Sequence, residues 1–168
     1  MLVDIMDCSP VLGERCFVAD NAAVIGRVTL GDDCSVWFGA SVRGDAAAIT
    51  VGDGSNIQDN ATVHCSSGEP TVIGKRVSVG HNAVVHSAAV EDDCLIGMGA
   101  VVLNGAVIGR GSIVAAGAVV TKGAVVPPRS LVMGIPGKVV RSVPEGANRE
   151  NAEIYIETKE AYRRGNEP

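Results

Sequence analysis

The chain has 168 residues and a net charge of −5, so it lacks the basic face that nucleic-acid phosphates require, and we expect no nucleic-acid partner. Gly, Asp or Lys interrupts every apolar run well short of the about 18 residues of a membrane span. The first residues carry Asp4 and Asp7 and are not typical of a signal peptide, and the five cysteines contain no C-x-x-C pair. These features predict a cytoplasmic protein without membrane contact.

Aromatic residues make up 3% of a chain that is 46% hydrophobic and holds 21 glycines, which indicates a narrow core of aliphatic and small side chains. The alternating segment 2–5 predicts an opening strand. An aliphatic residue then recurs every six positions, with a slip near 48–50, an excursion at 69–72 and one residue dropped before Val90. These aliphatic positions are Leu12, Val18, Val24, Leu30, Val36, Val42, Val51, Ile57, Val63, Ile73, Val79, Val85, Val90, Ile96, Val102, Ile108, Val114, Val120, Val126 and Val132.

A small or compact residue follows each aliphatic position by four, as at Ala61 and Ala100. Neither a helical nor a heptad period fits this pattern, and a short repeat rich in Val and Gly predicts a parallel β-helix. Residues 12–137 resemble the hexapeptide-repeat superfamily, in which three hexads form one triangular coil; the resemblance also implies a left-handed prism. A β-sandwich is the alternative. We predict an all-β domain over 1–137, with repeats from about 12, and a C-terminal segment over 138–168.

The repeat predicts the environment of most cysteines. Cys16, Cys34 and Cys94 occupy the small inward position of their hexads, where a thiol packs as a small apolar group. The pattern leaves Cys8 unassigned. Cys65 adjoins His64, which makes it the one cysteine to consider as a metal ligand, although packing is the simpler interpretation.

The hexads stop after Lys138, and the remaining segment has the features of a helix. Asn148 is a candidate N-cap, and Gly165 marks the end. Too few apolar residues are present for the helix to stand alone, so we expect it on the side of the prism or on a neighbouring subunit. The residues at helical spacing are Ala152, Tyr155, Ile156, Lys159 and Tyr162.

The three histidines occur between residues 64 and 86. His64 and His86 each follow the inward valine of the third hexad of successive coils, so they should stack on one outer face at the usual spacing of about 4.8 Å. Arg43 occupies the same column one coil earlier. His81 lies before the corner, up to roughly 16 Å of chain from His86. A second subunit, related by threefold symmetry, would bring its His81 against His64 and His86.

Three imidazoles and an open position suit Zn²⁺, and Co²⁺ or Fe²⁺ accept the same ligands. Such an ion lowers the pKa of bound water towards neutrality and supplies hydroxide as a nucleophile. The alternative is that surface histidines merely decorate an interface.

The order of these residues resembles the signature of the γ-class carbonic anhydrases. The resemblance implies a homotrimer that hydrates CO₂ reversibly to bicarbonate, with zinc held by His64 and His86 of one subunit and His81 of its neighbour. It also implies that Gln58 hydrogen-bonds the metal-bound water or bicarbonate. The residues that carry the resemblance are Arg43-Gly44-Asp45, Gln58-Asp59, His64, His81 and His86.

The same resemblance gives roles to four further residues. Arg43 and Asp45 would pair across the subunit boundary, in a contact where lysine cannot replace the guanidinium. Asp59 would orient a ligand or the adjacent interface. Tyr155, on the C-terminal helix, would contact substrate or its water, and Tyr162 is the competing candidate.

Two departures from the family pattern keep other functions open. Ala46 stands where well-characterised catalysts have a glutamate, and Glu69 is the sole carboxylate in the short segment after His64. Export of the proton released by CO₂ hydration normally uses a nearby carboxylate. The alternatives are acyl transfer or thioester hydrolysis on acyl-CoA, and a non-catalytic metal-binding trimer.

Overall fold

A computed structural model describes residues 1–165 as a parallel β-helix of about seven turns followed by an α-helix. The strands are short because each coil turns a corner after every hexad. In chain order the elements are β1 (Leu2–Val3), β2 (Val11–Leu12), β3 (Phe17–Val18), β4 (Ala23–Leu30), β5 (Ser35–Val36), β6 (Ser41–Val51), β7 (Asn56–Ile57), β8 (Thr62–His64), β9 (Thr71–Ile73), β10 (Ser78–Val79), β11 (Val84–His86), β12 (Ala89–Val90), β13 (Leu95–Ile96), β14 (Val101–Val102), β15 (Val107–Ile108), β16 (Ile113–Val114), β17 (Val119–Val120), β18 (Val125–Val126), β19 (Ser130–Met133), β20 (Lys138–Ser142) and α1 (Arg149–Gly165).

Strands that lie one coil apart pair in parallel. The first sheet runs β3-β5-β7-β10-β13-β16-β19, and β20 extends it by pairing antiparallel with β19. The other two sides of the prism form a single sheet of twelve strands, because the long strands β4 and β6 continue around their shared corner. The predicted left-handed parallel β-helix with a C-terminal helix is therefore confirmed.

The core is the column of inward aliphatic residues. Every predicted aliphatic position from Val24 to Val132 is buried, whereas Leu12 and Val18, in the first coil, are half-buried. Cys34 and Cys94 are buried in the small inward positions as predicted, and Cys16 is half-buried. Cys65 is also a core residue, with its thiol 3.2 Å from the backbone nitrogen of Ala47, so its side chain points away from the histidines.

The C-terminal helix packs on its own prism, against β3 and β5. The rings of Tyr155 and Tyr162 lie 5.3 and 5.2 Å from the ring of Trp37, and Lys159 is completely buried with its Nζ 3.1 Å from Asp33. Within the described residues, no helix has the length and apolar character that a membrane crossing needs.

Asn148 precedes the helix as predicted, but it does not act as the predicted cap. Its side-chain amide donates to the backbone carbonyls of Asp93 and Ser112, at 3.2 and 3.3 Å, and its Oδ1 has no hydrogen-bond partner in the part of the chain that is described. The side chain faces the prism because the helix docks there. Asn148 therefore anchors the helix to the coil instead of satisfying the amides of the first turn.

Candidate metal centre

His64 and His86 end neighbouring strands and form a register pair between β8 and β11. Val63 and Val85 point into the prism, so the residues after them point outward. The predicted stacking is confirmed, with His64 Nδ1 3.1 Å from His86 Nε2. Two nitrogens on one tetrahedral Zn²⁺, at about 2.0–2.1 Å from the ion, are roughly 3.3 Å apart. The spacing of the two rings therefore fits one shared ion.

The outer nitrogen of each ring contacts a group that can only accept a hydrogen bond. Asp45 Oδ1 lies 2.9 Å from His64 Nε2, and Asn104 Oδ1 lies 2.9 Å from His86 Nδ1. Both rings must therefore carry their N–H on the outer side. In neutral rings the inner nitrogens then face each other with lone pairs, an arrangement that a shared proton or a cation makes favourable.

Asp45 is anchored from two sides. Its carboxylate accepts hydrogen bonds from His64 and from the Arg43 guanidinium of the same chain, which together lower the pKa of Asp45, the His64 contact contributing most. The chain alone therefore closes this ion pair, and pairing across a subunit boundary stays a prediction. Position 44, between these two residues, admits only glycine. A Cβ there would lie 2.6 Å from the carbonyl oxygen of Arg27, which is too close for any other side chain.

His81 lies on a different corner from the histidine pair, where Asp59 and Tyr155, both selected in the sequence analysis, contact it. Its Nδ1 lies 2.9 Å from Asp59 Oδ2, and its Nε2 lies 3.4 Å from the Tyr155 hydroxyl. Burial, and next the charge of Asp59, raise the pKa of Tyr155, so its hydroxyl stays protonated and can donate to the ring. Tyr162 lies elsewhere, against Phe17 and Trp37.

One chain does not bring the three histidines together. Over residues 1–165, no group of three or more His, Cys, Asp or Glu side chains converges as a metal site. His64 and His86 converge at one corner, while His81 faces a cleft of about 320 Å³ between the first sheet and α1. Gln58 lines the same cleft and is buried, with its Nε2 donating to Asn56 Oδ1 at 3.0 Å.

Asn104 is a residue that the sequence analysis did not select. Besides accepting from His86, it donates through Nδ2 to Ser66 Oγ at 3.0 Å and to Glu69 Oε2 at 2.7 Å. These donations fix which end of its amide faces His86. The signal was present in the repeat, because Asn104 follows the inward Val102 by two positions, one coil above the histidine pair.

The fold is that of a hexapeptide-repeat protein, and two imidazoles face each other on one corner of its prism. Residues 87–122 match the family model described as bacterial transferase hexapeptide (six repeats). The chain is 52% identical over 159 residues to a probable carbonic anhydrase of Methanocaldococcus jannaschii, covering 91% of this chain and 100% of that protein. It is 43% identical over 158 residues to a carbonic anhydrase of Geobacillus kaustophilus, covering 92% of this chain and 87% of that protein.

Two solved structures share the whole architecture. A hexapeptide transferase family protein from Anaplasma phagocytophilum superposes with a TM-score of 0.92 at 38% identity, covering 96% of this chain and 97% of that one. A putative acetyltransferase from Bacillus cereus superposes with a TM-score of 0.90 at 34% identity, covering 96% of each chain. The chain belongs to the γ-class carbonic anhydrase-like proteins of the hexapeptide-repeat superfamily.

Proposed function

We propose that the protein is a carbonic anhydrase that interconverts CO₂ and bicarbonate at the subunit interfaces of a homotrimer. His64 and His86 of one subunit and His81 of the next would hold Zn²⁺, with Co²⁺ or Fe²⁺ as substitutes. The observation that carries the proposal is the 3.1 Å approach of the two imidazole nitrogens, whose outer nitrogens are already engaged. The free cysteines agree with a cytoplasmic location.

Each proposed ligand has a partner that sets its tautomer. Asp59 accepts the Nδ1 proton of His81, so the Nε2 lone pair would be available to the ion once the ion displaces the Tyr155 hydroxyl, and Asn104 leaves Nε2 of His86 in the same way. Zn²⁺ held by three imidazoles lowers the pKa of bound water to near neutrality and supplies the nucleophile for CO₂.

Other residues would position the reactants and remove the proton. Gln58 and Tyr155 line the cleft at His81, where an amide and a neutral hydroxyl can hydrogen-bond bicarbonate. Glu69 is linked to His86 through Asn104, which brings a carboxylate within two hydrogen bonds of a ligand. We propose that Glu69, held near the histidine pair by Asn104, takes up the proton released by hydration through intervening solvent, a role that a glutamate at the position of Ala46 would otherwise fill.

A mixed-subunit experiment tests whether the site is shared. His64→Ala and His81→Ala proteins should each lack both bound zinc and CO₂ hydration activity. Co-refolding them one to one should restore about a quarter of the sites, since a complete site needs intact His64 and His86 from one subunit and intact His81 from the next. Metal content and CO₂ hydration are measured on the same samples. No recovery in verified mixed trimers would contradict the shared site.

Hydrolysis or transfer on acyl-CoA is the second candidate. It is favoured by the apolar wall of the cleft beside His81, formed by Leu95, Met98 and Ile113, and by the similarity to structures described as transferases. Consumption of acetyl-CoA by metal-free protein, without CO₂ hydration by the zinc-loaded sample, would select this function. Full zinc occupancy with neither activity would select a non-catalytic metal-binding trimer.

A further inference from the structure

A second group of charged residues follows the corner that leads into β3, β5, β7, β10, β13, β16 and β19. We call it the charged corner. One column contains Arg15, Asp33, Arg76, Asp93 and Arg129, with a glycine on two intervening coils. Backbone hydrogen bonds connect successive coils here, as from Arg76 N to Asp53 O at 2.9 Å and from Arg129 N to Arg110 O at 2.8 Å. Side chains on adjacent coils are therefore direct neighbours.

On the coils that precede Arg129, each cation of the charged corner has a carboxylate on a neighbouring coil. The separations run from 2.6 to 2.8 Å. Charges of opposite sign on adjacent coils attract, so this part of the corner is internally neutralised. The pairs are Arg15 with Asp33, Lys75 with Asp53, Arg76 with Asp93, and Arg110 with Asp92.

The last coil breaks this pattern. Arg129 lies over Gly111 just as Arg76 lies over Gly54, but Arg15 and Arg76 each pair with an aspartate on the following coil, and no further coil follows Arg129. Arg149 is the first residue of α1, and the positive end of a helix is an unfavourable place for a cation. Within residues 1–165, neither Arg129 nor Arg149 has a carboxylate at ion-pair distance.

These two arginines line one cleft of about 290 Å³, which we call the arginine cleft. Arg76 and Arg110 line it as well, against the two carboxylates of Asp93 and Glu145, so its lining carries four positive and two negative charges. Asp92, which pairs with Arg110 beside the cleft, cancels one of these charges, so a local excess of one positive charge remains in a chain whose net charge is −5. The cleft contains none of the residues of the histidine site.

We propose that the arginine cleft binds a small phosphate-bearing molecule, with Arg129 and Arg149 as its principal contacts. Planar guanidinium groups match phosphate oxygens in bidentate geometry, and an anion would supply the negative charge that the last coil lacks. The concave shape favours a small molecule over an extended polyanion. The inference does not depend on the metal site or on CO₂ hydration.

Calorimetric titration of the full-length protein with inorganic pyrophosphate at low ionic strength tests this proposal. We expect saturable binding with a dissociation constant of about 1 mM or tighter. Arg129→Ala and Arg149→Ala should each weaken binding about tenfold, since each removes one charge-assisted contact. Arg15→Ala is the matched control, because Arg15 occupies the same column at the other end with its own carboxylate, and binding should be unchanged.

Thermal unfolding of each variant verifies that it is folded before titration. The proposal is overturned if pyrophosphate does not bind saturably, or if Arg129→Ala and Arg149→Ala bind it as the Arg15→Ala protein does. Sedimentation with phosphatidylglycerol vesicles distinguishes a lipid headgroup from a free phosphate. Arginine-dependent sedimentation without pyrophosphate binding would also overturn the proposal.

Discussion

Asn104 Oδ1 accepts the Nδ1 proton of His86 at 2.9 Å, while its own amide group is held by Ser66 and Glu69. The contact fixes the ring so that Nε2 faces His64. We predict that Asn104→Ala weakens Co²⁺ binding about 10- to 100-fold, the usual effect of removing a hydrogen-bond partner of a ligand histidine. Cobalt titration followed by visible absorbance measures this affinity directly.

Asn104→Asp keeps an acceptor for His86 and should retain most of the affinity. Asn21→Ala is a second control, since the Asn21 side chain accepts from the backbone of Gly39, one coil away, and lies outside the histidine pair. If Asn104→Ala binds cobalt as tightly as Asn21→Ala does, Asn104 has no part in positioning His86.

The pair formed by Arg43 and Asp45 predicts how assembly responds to mutation. If Arg43 also contacts Asp45 of a neighbouring subunit, Arg43→Ala should weaken association about tenfold per interface, the effect of losing a partly exposed charged contact. Arg43→Lys should recover little of the loss, because an ammonium lacks the planar fork with which a guanidinium could contact Asp45 of both subunits. Sedimentation velocity over a range of concentrations measures the change. Unchanged association in both variants would confine the ion pair to one chain.

Lys159 provides a test of how the helix is held. Its side chain is fully buried with Asp33 and Glu160 as partners. We predict that Lys159→Ala lowers the free energy of unfolding by about 2–4 kcal/mol, because it leaves a cavity and deprives Asp33 of a buried partner. Lys159→Met, which fills the same space, should cost less. Urea unfolding monitored by tryptophan fluorescence gives both values, and equal losses would show that charge, not packing, dominates.

Cys16 predicts a pH-dependent reactivity. The thiol of Cys34, on the next coil, lowers the pKa of Cys16 to about 7, despite the opposing effect of burial. Half of Cys16 should then be thiolate near neutral pH, so its alkylation by iodoacetamide should rise through pH 7. Burial raises the pKa of Cys94 to about 12, so Cys94 should stay unreactive. Mass spectrometry identifies the labelled residue.

Replacing Cys34 by alanine separates the two effects on Cys16. Alanine has no polar side-chain group, so the alkylation midpoint of Cys16 should move to higher pH while its exposure stays the same. A midpoint near the ordinary thiol value in the unmodified protein would contradict the role of the Cys34 contact.

The helix and the site show where prediction from the repeat succeeded and where it stopped. Counting hexads correctly placed His64 beside His86, because both follow inward valines of adjacent coils. The same counting did not choose between Tyr155 and Tyr162, since both recur at helical spacing. Their surroundings separate them, with Tyr155 at His81 and Tyr162 among aromatic rings. The position of the helix on the prism depends on long-range contacts such as Lys159 with Asp33.

The six-residue period by itself determined which side chains enter the core and which ones stack one coil apart. It could do so because strand direction and side-chain alternation repeat identically in every coil. Only the tertiary structure decided where the corners place Asp45 and Asn104 around the histidines and where α1 crosses the first sheet. Insertions change the corner geometry, and side-chain packing positions a docked helix. The corner geometry and the helix position therefore do not follow from a local period.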